Sequence, residues 1–250
     1  MVDPRYHIRV NPDDVGKYVI VVGDRGRVER VAKYFDKPVK VGDNREYLTY
    51  TGYLKGEKVS VMSTGMGAPA MAIGIEELAT TNAKVVIRVG TTGALQRSLK
   101  LGDSVIVTAA VRMDGTTSQY IIPGFPAVAD FQTVDALVKA ARQINNPFHV
   151  GTVLSTDSYY GRAFDVERHR YLEGQLIKAG VLAVEMEIGA LYITGTIKGL
   201  RTGAVLTVRE ELTEAGEYLQ AGEKFERGLE NSIKIAVKAI EILIEGGVAG

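Results

Sequence analysis

The chain of 250 residues carries 30 Lys and Arg against 30 Asp and Glu, so no bulk field exists to hold nucleic acid or an anionic membrane. It has no cysteine, which excludes disulfides, thiolate metal sites and a cysteine nucleophile, and its three histidines, His7, His149 and His169, are too scattered for a metal-ligand motif. With 46% hydrophobic residues, no apolar core near the N-terminus and no stretch of about 18 apolar residues, the expectation is a cytoplasmic globular protein without a membrane span.

Tyr18 to Val22 reads as a short strand ending in Gly23-Asp24, and Gly26 to Phe35 as a helix with Val28, Val31, Ala32 and Phe35 on one face. Glu46 to Leu54 and Lys58 to Ser63 read as paired strands around Lys55-Gly56-Glu57. Ala68 to Asn82 is helical, and Lys84 to Val89 is an apolar strand ending in an anion loop, Gly90-Thr91-Thr92-Gly93. Asp103 to Arg112 is a further strand, and Asp114 to Asp130, with Gly115, Pro123, Gly124 and Pro126, reads as a loop. A helix from Gln132 to Ile144 precedes a strand from His149 to Leu154, and Val166 to Lys178 is a charged surface helix. Val181 to Val184 leads into a helix from Glu185 to Lys198, Arg201 to Val208 is the last core strand, and Leu219 to Glu245 is a long amphipathic helix. This alternation predicts one α/β domain over 1–250, with a central mixed sheet flanked by helices.

Glycines or polar residues recur where these strands end, which is where α/β sheets bind ligands. Glycine lets backbone N–H groups approach an anion, and arginine offers a flat fork of donors that fits phosphate. Arg27, Arg45 and Arg88 each lie near such a strand end or loop, although any one of them alone is better explained as a surface charge or ion-pair partner. The segment Gly65-Met66-Gly67-Ala68-Pro69-Ala70 matches the dinucleotide fingerprint G-x-G-x-x-A. Pro69 inside the turn, and the missing acidic residue at the end of the next strand, argue against a dinucleotide. Glu185-Met186-Glu187 puts carboxylates beside a buried strand end, where they need partners; sugar hydroxyls would serve, but taken alone the pair is better explained as the N-terminal turn of a helix.

Taken in order, these pieces resemble the uridine phosphorylase branch of the nucleoside phosphorylase-I family over almost the whole chain. The matching segments are Tyr6-His7, Gly23-Asp24-Arg25-Gly26-Arg27, Asn44-Arg45-Glu46, Ser63-Thr64-Gly65-Met66-Gly67 and Arg88-Val89-Gly90-Thr91-Thr92-Gly93-Ala94. They continue through Phe125-Pro126-Ala127-Val128-Ala129-Asp130-Phe131, Ser155-Thr156-Asp157 and Glu185-Met186-Glu187. The resemblance implies a pentosyltransferase that splits a pyrimidine ribonucleoside with inorganic phosphate, reversibly, into base and ribose 1-phosphate. It implies a phosphate site of Gly23, Arg27, Arg88 and Thr91, with Arg45 donated by a neighbouring subunit. It further implies that Met186 and Glu187 hold the ribose, that His7 of the neighbour contacts the 5′-hydroxyl, and that Thr92, Gly93, Tyr159, Arg162 and Arg209 surround the base. Arg88, Glu187 and Arg209 are then the catalytic groups. Such shared sites need a homodimer, and the family commonly stacks dimers into hexamers. Phosphate is a co-substrate and no cofactor is implied, though some members hold a monovalent cation near the residue matching Glu46.

The chain departs from that pattern in three places. Arg25 stands where the first phosphate loop usually has proline. The usual Gln-x-Arg pair that reads uracil is absent from Tyr159-Tyr160-Gly161-Arg162-Ala163-Phe164-Asp165, which leaves Arg162 as either a substitute donor or a solvent-facing charge. Purine-cleaving relatives place Ser-Asp after the last core strand, where this chain has Thr207-Val208-Arg209, and valine cannot be a general acid. Arg209 could stabilise the leaving base or pair with Glu210 or Glu211. A purine or broad-specificity phosphorylase, and a binding protein without turnover, are the competing expectations.

Overall fold

The computed structural model describes residues 5–212, 218–219 and 222–247, and the side chains of all of these except 162, 163, 212, 218 and 219. After a 3-10 turn at Pro12–Asp14, the chain order is β1 (Tyr18–Val22), α1 (Gly26–Ala32), β2 (Asp36–Asn44), β3 (Tyr47–Leu54), β4 (Glu57–Ser63), α2 (Ala68–Leu78) and β5 (Val85–Ala94). Then come β6 (Ser104–Met113), α3 (Thr117–Tyr120), β7 (Ala127–Val128), α4 (Phe131–Ile144), β8 (Phe148–Thr156), α5 (Gly161–Phe164) and α6 (Val166–Lys178). The chain finishes with β9 (Ala183–Glu185), α7 (Ile188–Ile197), β10 (Arg201–Leu212), β11 (Tyr218–Leu219) and α8 (Glu223–Glu245).

The sheet is mixed, as expected. Strand β1 lies between β4 and β5, parallel to both, while β2, β3 and β4 form an antiparallel meander. Strand β5 also pairs in parallel with β10 and antiparallel with β9. Because β10 pairs β6, β6 pairs β8 and β8 pairs β9, the path β5–β10–β6–β8–β9 returns to β5 and closes a ring. Closure removes free edges from that part of the sheet and fixes strand register around it.

Side-chain alternation divides the core into two faces. Along β1, Val19 and Val21 join Met71, Ile75 and the α7 residues Leu191 and Tyr192 on one side. Tyr18, Ile20 and Val22 join Val28 and Val31 of α1, and Leu229, Ile233 and Ile240 of α8, on the other. Helix α4 packs on α8, and its N-terminus is capped by Asp130, whose carboxylate accepts the Thr133 N–H at 2.9 Å. No helix among the described residues is long and apolar enough to cross a membrane.

The structure departs from the sequence reading at several places: α1 stops at Ala32 rather than Phe35, the span read as a loop from Asp114 to Asp130 holds α3 and β7, α7 begins at Ile188 rather than Glu185, and α8 begins at Glu223 rather than Leu219. Strand β2 stands where no element is expected: its first five residues are exposed, and it carries Lys37, Pro38 and Lys40, so apolar alternation never develops. Helix α2 stops at Leu78 rather than Asn82, where the hydroxyls of Thr80 and Thr81 bond back to the carbonyls of Glu77 and Leu78 at 2.8 and 2.7 Å. Gly90-Thr91-Thr92-Gly93 is not a loop but the continuation of β5, with Gly90, Thr91 and Thr92 opposite Leu206, Thr207 and Val208, and Gly93 opposite Val184.

Candidate active site

Arg88 lies on the face of β5 that looks toward α2 and α7. It is 4% exposed, and its Nη2 lies 2.5 Å from Oε2 of Glu187, which is 5% exposed at the start of α7. Its Nε and Nη1 are buried without a hydrogen-bond partner among the described residues. Buried guanidinium nitrogens in that state cost about 1–3 kcal/mol each unless an acceptor arrives. Gly90 makes the fold-back of Arg88 feasible, since a Cβ there would stand 2.7 Å from Leu206 Cδ2 and 3.1 Å from Arg88 Nε. A Cβ on Gly23, beyond the end of β1, would lie 3.9 Å from both terminal nitrogens of Arg88.

Arg27 sits in the first turn of α1, in a loop that Asp24 closes by accepting the Gly26 N–H at 2.9 Å. Burial, and next the field of Arg88, pull the Arg27 guanidinium below its ordinary range, with Arg30 and Arg209 adding to the effect and Asp24 opposing it. Gly23, Arg27 and Arg88 are therefore brought together, and Thr91 is half-buried nearby on the same strand as Arg88. A cavity of about 370 Å³ opens beside Arg27, lined also by Asp24, Arg30, Arg209 and Phe225. Arg209 lies with its Cζ 5.7 Å from the centre of the Phe225 ring. Its acidic neighbours are engaged elsewhere: Glu210 with Tyr159, and Glu211 with Lys100 and the Leu101 N–H.

Glu187 is held on two sides, since its Oε1 also accepts the Gly67 N–H at 2.7 Å. Gly67 has φ +90 and Gly65 φ +73, a conformation that presents this N–H and that side-chain-bearing residues rarely adopt. The glycine-rich turn thus addresses a protein carboxylate. Glu185, two residues before, is also buried, accepting the Ser155 hydroxyl and the N–H groups of Glu187 and Ile188 at 2.7 and 2.9 Å. It serves the start of α7, the bland role weighed for this pair. Burial, then the adjacent Glu187 carboxylate, push its carboxyl up to about 7, against the pull of Arg88. Met186 between them is half-buried.

Other expected residues lie apart in the single chain. Arg45 is exposed on the β2–β3 turn at φ +53, and its carbonyl accepts from Arg25 Nη1 at 2.6 Å. Arg25 also pairs with Asp43 at 2.6 Å, so the residue that replaces proline braces this turn. Glu46 follows, its carbonyl accepting the Ser63 hydroxyl at 2.5 Å. His7 places Nδ1 2.6 Å from Glu77 Oε1, and its contacts include neither Arg88 nor Glu187. Thr92 is buried, with its hydroxyl on the Val184 carbonyl at 2.7 Å. Gly93 faces Glu210, and the exposed Tyr159 donates its hydroxyl to Glu210 at 2.5 Å. The Arg162 side chain lies outside the described residues. Glu210 and Phe225 were not anticipated at the site; Phe225 carries no sequence signal beyond core periodicity.

The chain is similar to known proteins along nearly all its length. It is 42% identical over 247 residues to a uridine phosphorylase of Treponema pallidum, covering 97% of this chain and 95% of that protein. It is 40% identical over 248 residues to a uridine phosphorylase of Thermococcus kodakarensis, covering 96% and 87%. The crystal structure of a uridine phosphorylase from Vibrio fischeri ES114 superposes with a TM-score of 0.86 at 29% identity, covering 96% of this chain and 98% of that one. The family model described as the Phosphorylase superfamily matches residues 17–241, and the chain belongs to that superfamily.

Proposed function

We infer that this chain is a pentosyltransferase that cleaves uridine with inorganic phosphate, giving uracil and ribose 1-phosphate. The observation that carries the reading is Arg88: a buried guanidinium with two nitrogens that have no partner among the described residues, beside a second, half-buried arginine, Arg27. That arrangement asks for a doubly charged oxyanion, and a hydrolase using water has no need of it. The name carried by the similar proteins supplies the nucleoside.

In this reading Gly23, Arg27, Arg88 and Thr91 hold phosphate below the anomeric carbon. Glu187 accepts hydrogen bonds from the ribose hydroxyls, with Met186 against the sugar. A phosphate oxygen forms a bond to C1′ as the C1′–N1 bond breaks, and the bonding pair leaves with uracil, which then takes a proton. Positive charge grows on the ribose and negative charge on the base. Catalysis is alignment plus electrostatics, with Arg209 and Tyr159 on the base side. Phosphate is a co-substrate, and the guanidiniums supply the positive charge, so the reading calls for no cofactor.

His7 and Arg45, which stand apart from Arg88 in one chain, act in a neighbouring subunit's site. The assembly is then a dimer with shared sites, built up to a hexamer. Its charged product, ribose 1-phosphate, stays inside a cell, which suits cytoplasmic nucleoside breakdown and base salvage. The test is uracil release from uridine with and without phosphate: phosphate-dependent release is expected, and equal rates without phosphate overturn the reading.

A further inference from the structure

The carboxylate of Glu210 belongs to neither the phosphate nor the ribose clamp, yet it stands among the residues assigned to the base. Its Oε1 accepts the Tyr159 hydroxyl at 2.5 Å. Its Oε2 lies 3.3 Å from the position a Cβ on Gly93 would take, so it occupies the space that glycine leaves at the end of β5. A register shift brings it there. Val208 is opposite Thr92 and Glu210 is opposite Gly93, which makes Arg209 an extra residue in β10. Strict alternation would turn Glu210 to the buried face of Val208; the bulge turns it to the face of Gly93 instead.

We propose that Glu210 selects the base by accepting a hydrogen bond from the N3–H of uracil, with Tyr159 fixing its other oxygen. The proposal rests on the phosphorolytic reading of the site. The outer edge of uracil offers acceptor, donor, acceptor. An ionised carboxylate only accepts, so it matches the central N–H, and the adjacent Arg209 only donates, so it matches a flanking oxygen. Cytosine has a bare acceptor at that central position, and two facing acceptors repel. The pair thus does the work for which 159–165 lacks a glutamine. A carboxylate cannot stabilise the negative charge that grows on the leaving base. Its contribution therefore lies in binding and selection, and its loss raises KM more than it lowers kcat.

The experiment compares uridine with N3-methyluridine, which lacks the N–H, on wild type, Glu210→Ala and Glu210→Asp. The wild type favours uridine. Glu210→Ala lowers kcat/KM for uridine about 10- to 100-fold, mainly through KM, and leaves N3-methyluridine within about twofold. Glu210→Asp keeps the charge but retracts it by one methylene; it reads the same effect if the alanine variant does not fold, and its uridine preference falls at least about fivefold. An active variant with an unchanged preference overturns the assignment of Glu210 alone. A wild type that releases no uracil with phosphate overturns the phosphorolytic reading, and the assignment with it.

Discussion

Nη2 of Arg88 lies 2.5 Å from Oε2 of Glu187, 99 positions later in the chain, and both side chains are buried. The contact ties the proposed phosphate ligand to the proposed ribose ligand. Whatever moves one moves the other, so in the proposed site phosphate and ribose would meet a coupled pair. Among the described residues, the other two nitrogens of Arg88 have no partner.

Arg88→Ala should lower kcat/KM for phosphate by about 100- to 1,000-fold, as expected when a preorganised charge contact is removed. It should also destabilise the fold by about 3–5 kcal/mol, because Glu187 then becomes an unpaired buried carboxylate. The double variant Arg88→Ala/Glu187→Ala should regain part of that stability in denaturant melts. Near-normal phosphate kinetics in Arg88→Ala would take Arg88 out of the site.

Gly67→Ala should cost about 1–2 kcal/mol, since φ is +90 there. The strained turn also shifts the N–H that holds Glu187. Uridine turnover should fall with the melting temperature. A variant with unchanged stability would show that the turn relaxes freely.

Glu185 predicts a pH dependence. Its carboxyl is raised to about 7 from an ordinary value of 4.5, so between those values the folded chain holds a proton that the unfolded chain releases. The stabilisation from that proton is complete below about pH 4.5 and is lost as pH rises through 7. Urea midpoints should therefore fall between pH 5 and pH 8 in the wild type, and the slope should flatten in Glu185→Gln. Equal slopes in the two proteins would show that Glu185 does not titrate in this range.

Arg45→Ala and Arg88→Ala subunits should complement each other when mixed as dimers. A heterodimer holds one site with Arg88 from one chain and Arg45 from the other, and one site with neither. Random pairing should restore about a quarter of wild-type activity. Verified heterodimers with no recovery would place Arg45 outside the shared site.

Arg25 bonds the Arg45 carbonyl and pairs with Asp43, so it braces the turn that carries Arg45. Arg25→Ala should raise KM for phosphate several-fold, with little change in KM for uridine. Proportional changes in both constants would indicate general damage to the turn.

Much of the proposed phosphate and ribose side was legible because its residues sit at the ends of strongly apolar segments. The β1 end with Gly23 and Arg27, the β5 end with Arg88 and the start of α7 with Glu187 all announce themselves that way. The continuation of β5 was not legible. Gly90-Thr91-Thr92-Gly93 has the composition of a loop, and becomes strand only because β9 and β10, far away in sequence, pair with it. Glu210 was hidden for a related reason. Read locally it is an ion-pair partner for Arg209, and only a one-residue bulge and the placement of Tyr159 turn it elsewhere. His7 and Arg45 show the remaining limit, since their proposed targets belong to another copy of the chain.

The closed ring of strands has a consequence for how such a protein can change. Arg88 and Thr91 are carried by β5, which shares its pairing with three other strands, so substitutions there disturb the framework. Glu210 sits beside the one-residue bulge near the end of β10, and Tyr159 lies in the segment between β8 and α5. If the proposed roles hold, the preference for one base over another can change at the bulge and the connecting segment while the proposed anion clamp stays intact. The fold separates the part of the chemistry that must persist from the part that is free to diversify.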